Sequence, residues 1–159
     1  MSTLAIRIAE GGLADLPAVM MVMDDSFDPR FGEAWTASQC AGLLPLPGVW
    51  LALARDGDAI VGFSLSRIIM DEAELLLLAV RRGQQGRGIG RALLADFAAA
   101  AVGRRARRLH LEVRDGNPAA RLYEQAGYSL AGRRRDYYLG ADGSRYDALT
   151  LMKTSAGPQ

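Results

Sequence analysis

The sequence predicts an α/β domain of the mixed α+β kind, a sheet of about seven strands with about four helices packed on it. Three observations predict it. Apolar runs of strand length alternate with helix-period stretches in the order β-α-α-β-β-β-α-β-α-β-β. Two of those runs, "GVWLALAR" and "AIVGFSLSRIIM", flank an Asp-Gly turn, the pattern of a β-hairpin. A third, "DEAELLLLAV", is apolar at nearly every position beyond Glu74, as a strand covered on both faces is, and it leads through a glycine-rich bend into a helix.

The elements follow in order. Leu4–Ala9 alternates weakly and reads as a strand. "GLADLPAVMMVMDDSF" reads as a helix whose Met20, Met21 and Met23 fill core or groove. "DDSFDPRFGEAW" is irregular, broken by Pro29 and Gly32. "TASQCAGLL" is a short helix capped by Thr36 or Ser38. After the hairpin and the apolar strand, a helix runs from about Gly88 to Val102, with Ile89, Leu93, Phe97 and Ala100 along one stripe. "RRLHLEV" is a strand with Leu109, Leu111 and Val113 on one face and His110, Glu112 and Arg114 on the other. "DGNPAARLYEQAGY" is a helix with Asn117 at the N-cap, Pro118 in the first turn and Gly127 just past the end. Strands around "SLAGRRRDYYL" and "RYDALTLM", joined by "GADGS", complete the sheet, and the tail "TSAGPQ" is expected to fray.

The 159 residues, 50% hydrophobic and 23% charged, fit one globular domain over 1–159 and not a disordered chain. No apolar run reaches the ~18 residues of a membrane helix, and "MSTLAIRIAE" lacks the layout of a signal peptide. One cysteine, Cys40, forms no internal disulfide. A cytoplasmic protein is expected, without membrane or direct nucleic-acid partners. The net charge of +1 conceals a division: residues 1–80 hold four Arg against eleven Asp and Glu, and residues 81–159 fifteen Lys and Arg against seven. Either the halves meet charged partners or they interleave and cancel. His110 and Cys40 lack partners at metal-ligand spacing, so both read as structural and no metal is implied.

Gly86, Gly88 and Gly90 stand at alternate positions where that helix begins, although glycine costs a helix roughly 1 kcal/mol against alanine. Between a buried strand and a helix, such a bend can present successive N–H groups at the positive end of the helix dipole, an anion cradle for a phosphate or pyrophosphate. Arg87 and Arg91 would add charge at its rim. The alternative is a tight turn without a ligand. A Walker loop is excluded by the lack of Gly-Lys-Ser/Thr, and G-R-G-I-G-R does not fit the dinucleotide fingerprint G-x-G-x-x-G.

Gln85-Gly86-Arg87-Gly88-Ile89-Gly90 resembles the Q/R-x-x-G-x-G/A signature of the GCN5-related N-acetyltransferases (GNAT), and "NPAARLYEQAGY" resembles that family's N-x-x-A-x-x-L-Y-E-x-x-G-F. The resemblance runs from Leu4 to about Met152. It implies the GNAT fold, a mostly antiparallel twisted sheet, and acetyl-CoA as cosubstrate. Gln85, Gly86, Arg87, Gly88, Ile89, Gly90 and Arg91 would hold its pyrophosphate. Leu78, Ala79 and Val80 would pair with the pantetheine arm at a splay in the sheet, with the Val80 N–H toward the oxyanion, and Asn117 would touch the arm. "GFSLSRIIMDEAELLLLAV", "LHLEVRDGNPAARLYEQAGY" and "RRRDYYLGADGSRYDALTLM" resemble more closely the members that acetylate protein N-termini. That resemblance implies a protein N-terminus as partner, the N-terminal alanine of ribosomal protein S18.

The same resemblance implies Glu112 as general base and Tyr123 as general acid. From the residues alone, Glu112 reads first as an ion-pair partner of Arg114 or a neighbouring arginine, and Tyr123 as a core aromatic. Tyr137 and Tyr138 are candidates for the acceptor groove, and Glu33 and Glu72, with Asp71 and Glu74, for attracting a basic N-terminus. Each also reads as a surface or core-edge residue. A lysine side chain or small amine as acceptor, or a CoA-binding sensor without turnover, are the other readings. The chain departs from the family in having six positions from Asn117 to Tyr123 where seven are usual, and in lacking Pro-Trp in "DDSFDPRFGEAW".

Overall fold

In the computed structural model, which describes residues 5–155, the predicted order of elements forms. Strand β1 (Ile6–Gly11) is followed by helices α1 (Leu16–Ser26) and α2 (Ala37–Leu43), then strands β2 (Val49–Asp56), β3 (Ala59–Ile69) and β4 (Glu72–Val80). Helix α3 (Ile89–Gly103), strand β5 (Arg108–Arg114), helix α4 (Ala119–Gln125) and strands β6 (Ser129–Leu139) and β7 (Arg145–Thr154) complete it. The sheet order is β1-β2-β3-β4-β5-β7-β6, antiparallel throughout except where β4 meets β5.

Local chemistry explains most boundaries. Thr36 caps α2, accepting from the Gln39 N–H while Gln39 bonds back to the Thr36 N–H. Gly57 takes a positive φ of 60° in the β2–β3 turn, as the Asp-Gly signal requires. In α3 the buried positions Ile89, Leu93, Phe97 and Ala101 recur every four residues. Ala100, expected on that stripe, lies at its edge, because Ala101 takes the i+4 place behind Phe97.

Three boundaries differ from expectation. The first strand begins at Ile6 and continues to Gly11; Leu4 lies outside the described residues. Helix α4 starts at Ala119, although the Asn117 side chain still accepts from the Ala119 N–H at 2.9 Å. Of the tail, Thr154 belongs to β7, and Ser155 is tied by two hydrogen bonds, N–H to Arg107 O and hydroxyl to Ala106 O. The remainder lies outside the described residues.

Two hydrophobic layers sandwich the sheet. Leu75, Phe97, Leu109 and Leu111 pack on the α3–α4 side, and Val22, Met23, Phe63 and Leu77 on the α1–α2 side. Each such fully buried side chain contributes about 1.5–3 kcal/mol relative to exposure. Leu75 and Leu77 lie on opposite sides because the β3–β4 register jumps from Leu65↔Leu77 to Ser66↔Leu75, leaving Leu76 as an extra residue. A bulge of this kind reverses which side chains face which layer.

The α1–α2 connection is fastened to the β6–β7 turn. The Ala141 N–H donates to Pro29 O at 3.1 Å. A Cβ on Gly32 would stand 1.9 Å from Leu139 O, and one on Gly140 2.0 Å from Arg30 O, so both glycines are required for this approach. Gly140→Ala is therefore expected to cost about 1–3 kcal/mol of stability in denaturant unfolding; an unchanged midpoint would show that the seam opens without cost. Two arginine ion pairs cross the charge division of the sequence, Arg87 with Asp56 and Arg114 with Glu33, while others, such as Arg67 with Glu74 and Arg134 with Glu112, lie within one half.

Candidate active site

Parallel pairing between β4 and β5 stops after Leu75↔Leu111. Beyond that point the strands part, and the gap is the floor of a cleft of about 1040 Å³. Its position follows from β4. The Arg81 N–H donates to Val61 O at 2.9 Å, so antiparallel alternation directs the backbone of Ala79 to β3 and that of Leu78 and Val80 into the gap. Leu78, Ala79 and Val80 all line the cleft, but only Leu78 and Val80 offer backbone groups to it. The Val80 carbonyl accepts from Ser26 Oγ at 2.8 Å and from Gln85 Nε2 at 3.3 Å.

At one end of the gap lies the glycine bend. Gly86 and Gly88 have φ of 84° and 81°, left-handed values that suit glycine. A Cβ on either would meet nothing within 4 Å, whereas at Gly90 it would touch Leu122 at 3.4 Å. Gly88 precedes α3 with no side-chain cap, and the first helical bond is Ala92 N–H to Gly88 O. Among the described residues, the amides from Gly86 to Arg91 donate to no protein acceptor. Six consecutive N–H groups at a helix N-terminus are thus available to an anion. Gln85, Gly86, Gly88, Ile89, Gly90 and Arg91 line the cleft; Ile89 buries its side chain in the core, leaving its amide. Arg87 does not line it. The two left-handed glycines turn its side chain outward, to Asp56 at 3.1 Å and to Gln84. Arg82 and Gln84, which sequence reasoning did not select, line the cleft in its place.

At the other end, Glu112 and Tyr123 line the same cleft. Glu112 faces Thr150 across β5 and β7, and its Oε2 accepts from Thr150 Oγ1 at 3.1 Å and meets Arg134 Nε at 2.5 Å. Both contacts fall on Oε2. Arg134 is therefore the neighbouring arginine of the ion-pair reading, while Arg114 is held elsewhere. Tyr123, 6% exposed, stands edge-on to Tyr128. Burial first, then the Glu33 carboxylate, push its phenol well above the ordinary value, so it stays protonated.

Glu33 and Asn117 are brought together. Asn117 Nδ2 donates to Glu33 Oε2 at 2.8 Å, and Arg114 Nε lies 3.2 Å from Glu33 Oε1 as a charge contact without hydrogen-bond alignment. The Arg114 guanidinium stacks 3.6 Å from the Phe31 ring centroid. Both ends of the Asn117 amide are thus occupied within the protein. Tyr137 and Tyr138 line the cleft edge-to-face, 5.0 Å apart, and burial raises both phenols. Glu72 and Asp71 lie off the cleft, because β4 is still paired with β5 where it begins. Glu74 lines it, bonded to Arg67 at 2.7 Å and 3.8 Å from His110.

A splayed mixed sheet with a row of free amides at the mouth of α3 defines a class, and this chain belongs to it: the acetyltransferase (GNAT) family, whose model matches residues 16–128. Among curated relatives, the [ribosomal protein bS18]-alanine N-acetyltransferase of Escherichia coli K12 is 40% identical over 100 residues, 62% of this chain and 66% of that protein's length. The N-alpha-acetyltransferase RimI of Mycobacterium tuberculosis is 35% identical over 153 residues, 91% of this chain and 86% of the relative. The crystal structure of the ribosomal-protein-S18-alanine N-acetyltransferase from Escherichia coli superposes with a TM-score of 0.85 at 29% identity, covering 97% of this chain and 96% of that one. These comparisons bear out the expected family and fold.

Proposed function

We propose that this protein transfers the acetyl group of acetyl-CoA to the free α-amine of a protein N-terminus, the N-terminal alanine of ribosomal protein S18, in the cytoplasm. The observation that carries the reaction class is the row of amides from Gly86 to Arg91, unpartnered among the described residues, of which all but Arg87 belong to residues lining the cleft that Glu112 and Tyr123 also line. It fits a diphosphate: the glycine positions are open, the helix dipole is aligned, and Arg82 and Arg91 line the same wall. The acceptor rests on the names of the relatives.

Acetyl-CoA supplies an activated thioester and a thiolate leaving group. The residues supply the proton traffic. An α-ammonium has a pKa of ~8 and must lose a proton before it attacks. Glu112, whose Oε2 is held by Thr150 and Arg134, takes it on its carboxylate. The Val80 N–H, directed into the gap, donates to the oxygen on which charge develops. Tyr123 gives its phenol proton to the departing sulfur.

Because the Tyr123 phenol is raised, its acidic form persists above the ordinary ~10. Turnover of the wild type is expected to hold to about pH 10, and Tyr123→Phe to lose most of kcat with acetyl-CoA affinity kept. A pH–rate profile falling at or below the ordinary phenol range would contradict the assignment. The function itself is tested by thiol release from acetyl-CoA. A peptide beginning Ala-Arg is expected to be acetylated, and a lysine peptide blocked at its N-terminus to be inert. Transfer to the blocked peptide alone, or to neither, would overturn the proposal.

A further inference from the structure

Tyr137 and Tyr138 are adjacent, yet both rings line the cleft. On a regular strand neighbours face opposite ways. The irregularity is in β6: between Arg134↔Ala148 and Tyr138↔Tyr146, three residues stand opposite Asp147 alone. At its centre Asp136 has φ 52°, a left-handed conformation held against its ordinary preference.

Asp147 holds it. Its Oδ1 accepts from the Asp136 N–H at 2.9 Å, and its Oδ2 from Arg133 Nη1 at 2.8 Å. Arg133 also reaches Asp115 Oδ2 at 2.8 Å, and the Asp115 N–H donates to Asp147 O at 3.0 Å. The clasp therefore ties the β6 bulge to the end of β5, just beyond Glu112 and Arg114. The ion pairs are part-exposed and contribute little; the hydrogen bond to the bulged backbone is what sets its shape.

We infer that Asp147 is a positioning residue for the acceptor: it holds the β6 bulge that turns both tyrosine rings into the cleft and carries Arg134 to Glu112. The inference rests on the reading that this side of the cleft receives the acceptor. Asp147 touches neither β4 nor the glycine bend, so its effect falls on the acceptor and not on acetyl-CoA.

The test compares Asp147→Ala and Asp147→Asn in the full chain by amide hydrogen exchange and by kinetics with the Ala-Arg peptide. In Asp147→Ala the Asp136 amide is expected to exchange at least tenfold faster. The peptide KM should rise about tenfold with the acetyl-CoA KM unchanged. Asp147→Asn retains an oxygen for the Asp136 N–H and is expected to recover most of both. Unchanged Asp136 exchange in folded Asp147→Ala, a KM effect shared equally by acetyl-CoA, or no recovery in Asp147→Asn would overturn the inference. The exchange result needs no turnover, so a wild type inert toward the peptide would overturn the acceptor reading separately.

Discussion

Replacing Glu112 with glutamine is expected to lower kcat by about 10²- to 10⁴-fold, the range of a lost general base, while acetyl-CoA affinity stays unchanged. Glutamine preserves shape, and its carbonyl oxygen can still accept from Thr150, which contacts Oε2 at 3.1 Å. What it lacks is a basic oxygen. It also loses the ion pair to Arg134, a surface side chain at 64% exposure, whose contribution to stability is small. A folded variant with slow turnover and wild-type affinity for acetyl-CoA is therefore the expected outcome, measured by steady-state kinetics and calorimetry. Undiminished turnover at neutral pH would remove Glu112 from the reaction and leave it as the ion-pair partner that its contacts also describe.

Gly88→Val is expected to act on the opposite term, weakening acetyl-CoA binding by on the order of 100-fold. Space is not the reason, since a Cβ at this position meets nothing within 4 Å. The backbone is the reason: φ is 81°, and a β-branched residue disfavours the left-handed region strongly. The bend must reshape, and amides between Gly86 and Arg91 turn off their common target. Losing two hydrogen bonds to a charged group, each about 1.5–3 kcal/mol, corresponds to roughly 100-fold or more at 1.4 kcal/mol per tenfold. Binding calorimetry with the folded variant checks this; an unchanged Kd would mean that the bend does not grip the cosubstrate.

Elements whose signals are local were legible in the sequence. Thr36 with Gln39 announced a capped helix, Asp56-Gly57 announced a hairpin, and the glycine spacing before α3 announced an open bend. What stayed hidden were two events of register. The extra residue Leu76 sits in a run of leucines, where no side chain marks it. The β6 bulge places a non-glycine residue, Asp136, at positive φ, and its anchor, Asp147, lies on another strand. A period of two carries alternation only as far as the next bulge. For the same reason "RRRDYY" was recognisable as a motif while the reach of Arg134 to Glu112 was not, and Arg87 was expected at a rim that it turns away from. Glu33 was selected for its charge; its hydrogen bond to Asn117 and its charge contact with Arg114 depend on a connection folding back over β5, which spacing does not encode.

The central claim is that the main-chain amides at the start of α3 bind the diphosphate of acetyl-CoA and so aim the thioester at Glu112. Backbone amide NMR during titration with CoA tests it most directly. The resonances of Gly86 through Arg91 are expected to move furthest, downfield as hydrogen bonds to phosphate form, and to saturate together with those of Leu78 and Val80. Saturable binding that leaves the Gly86–Arg91 amides in place would contradict it.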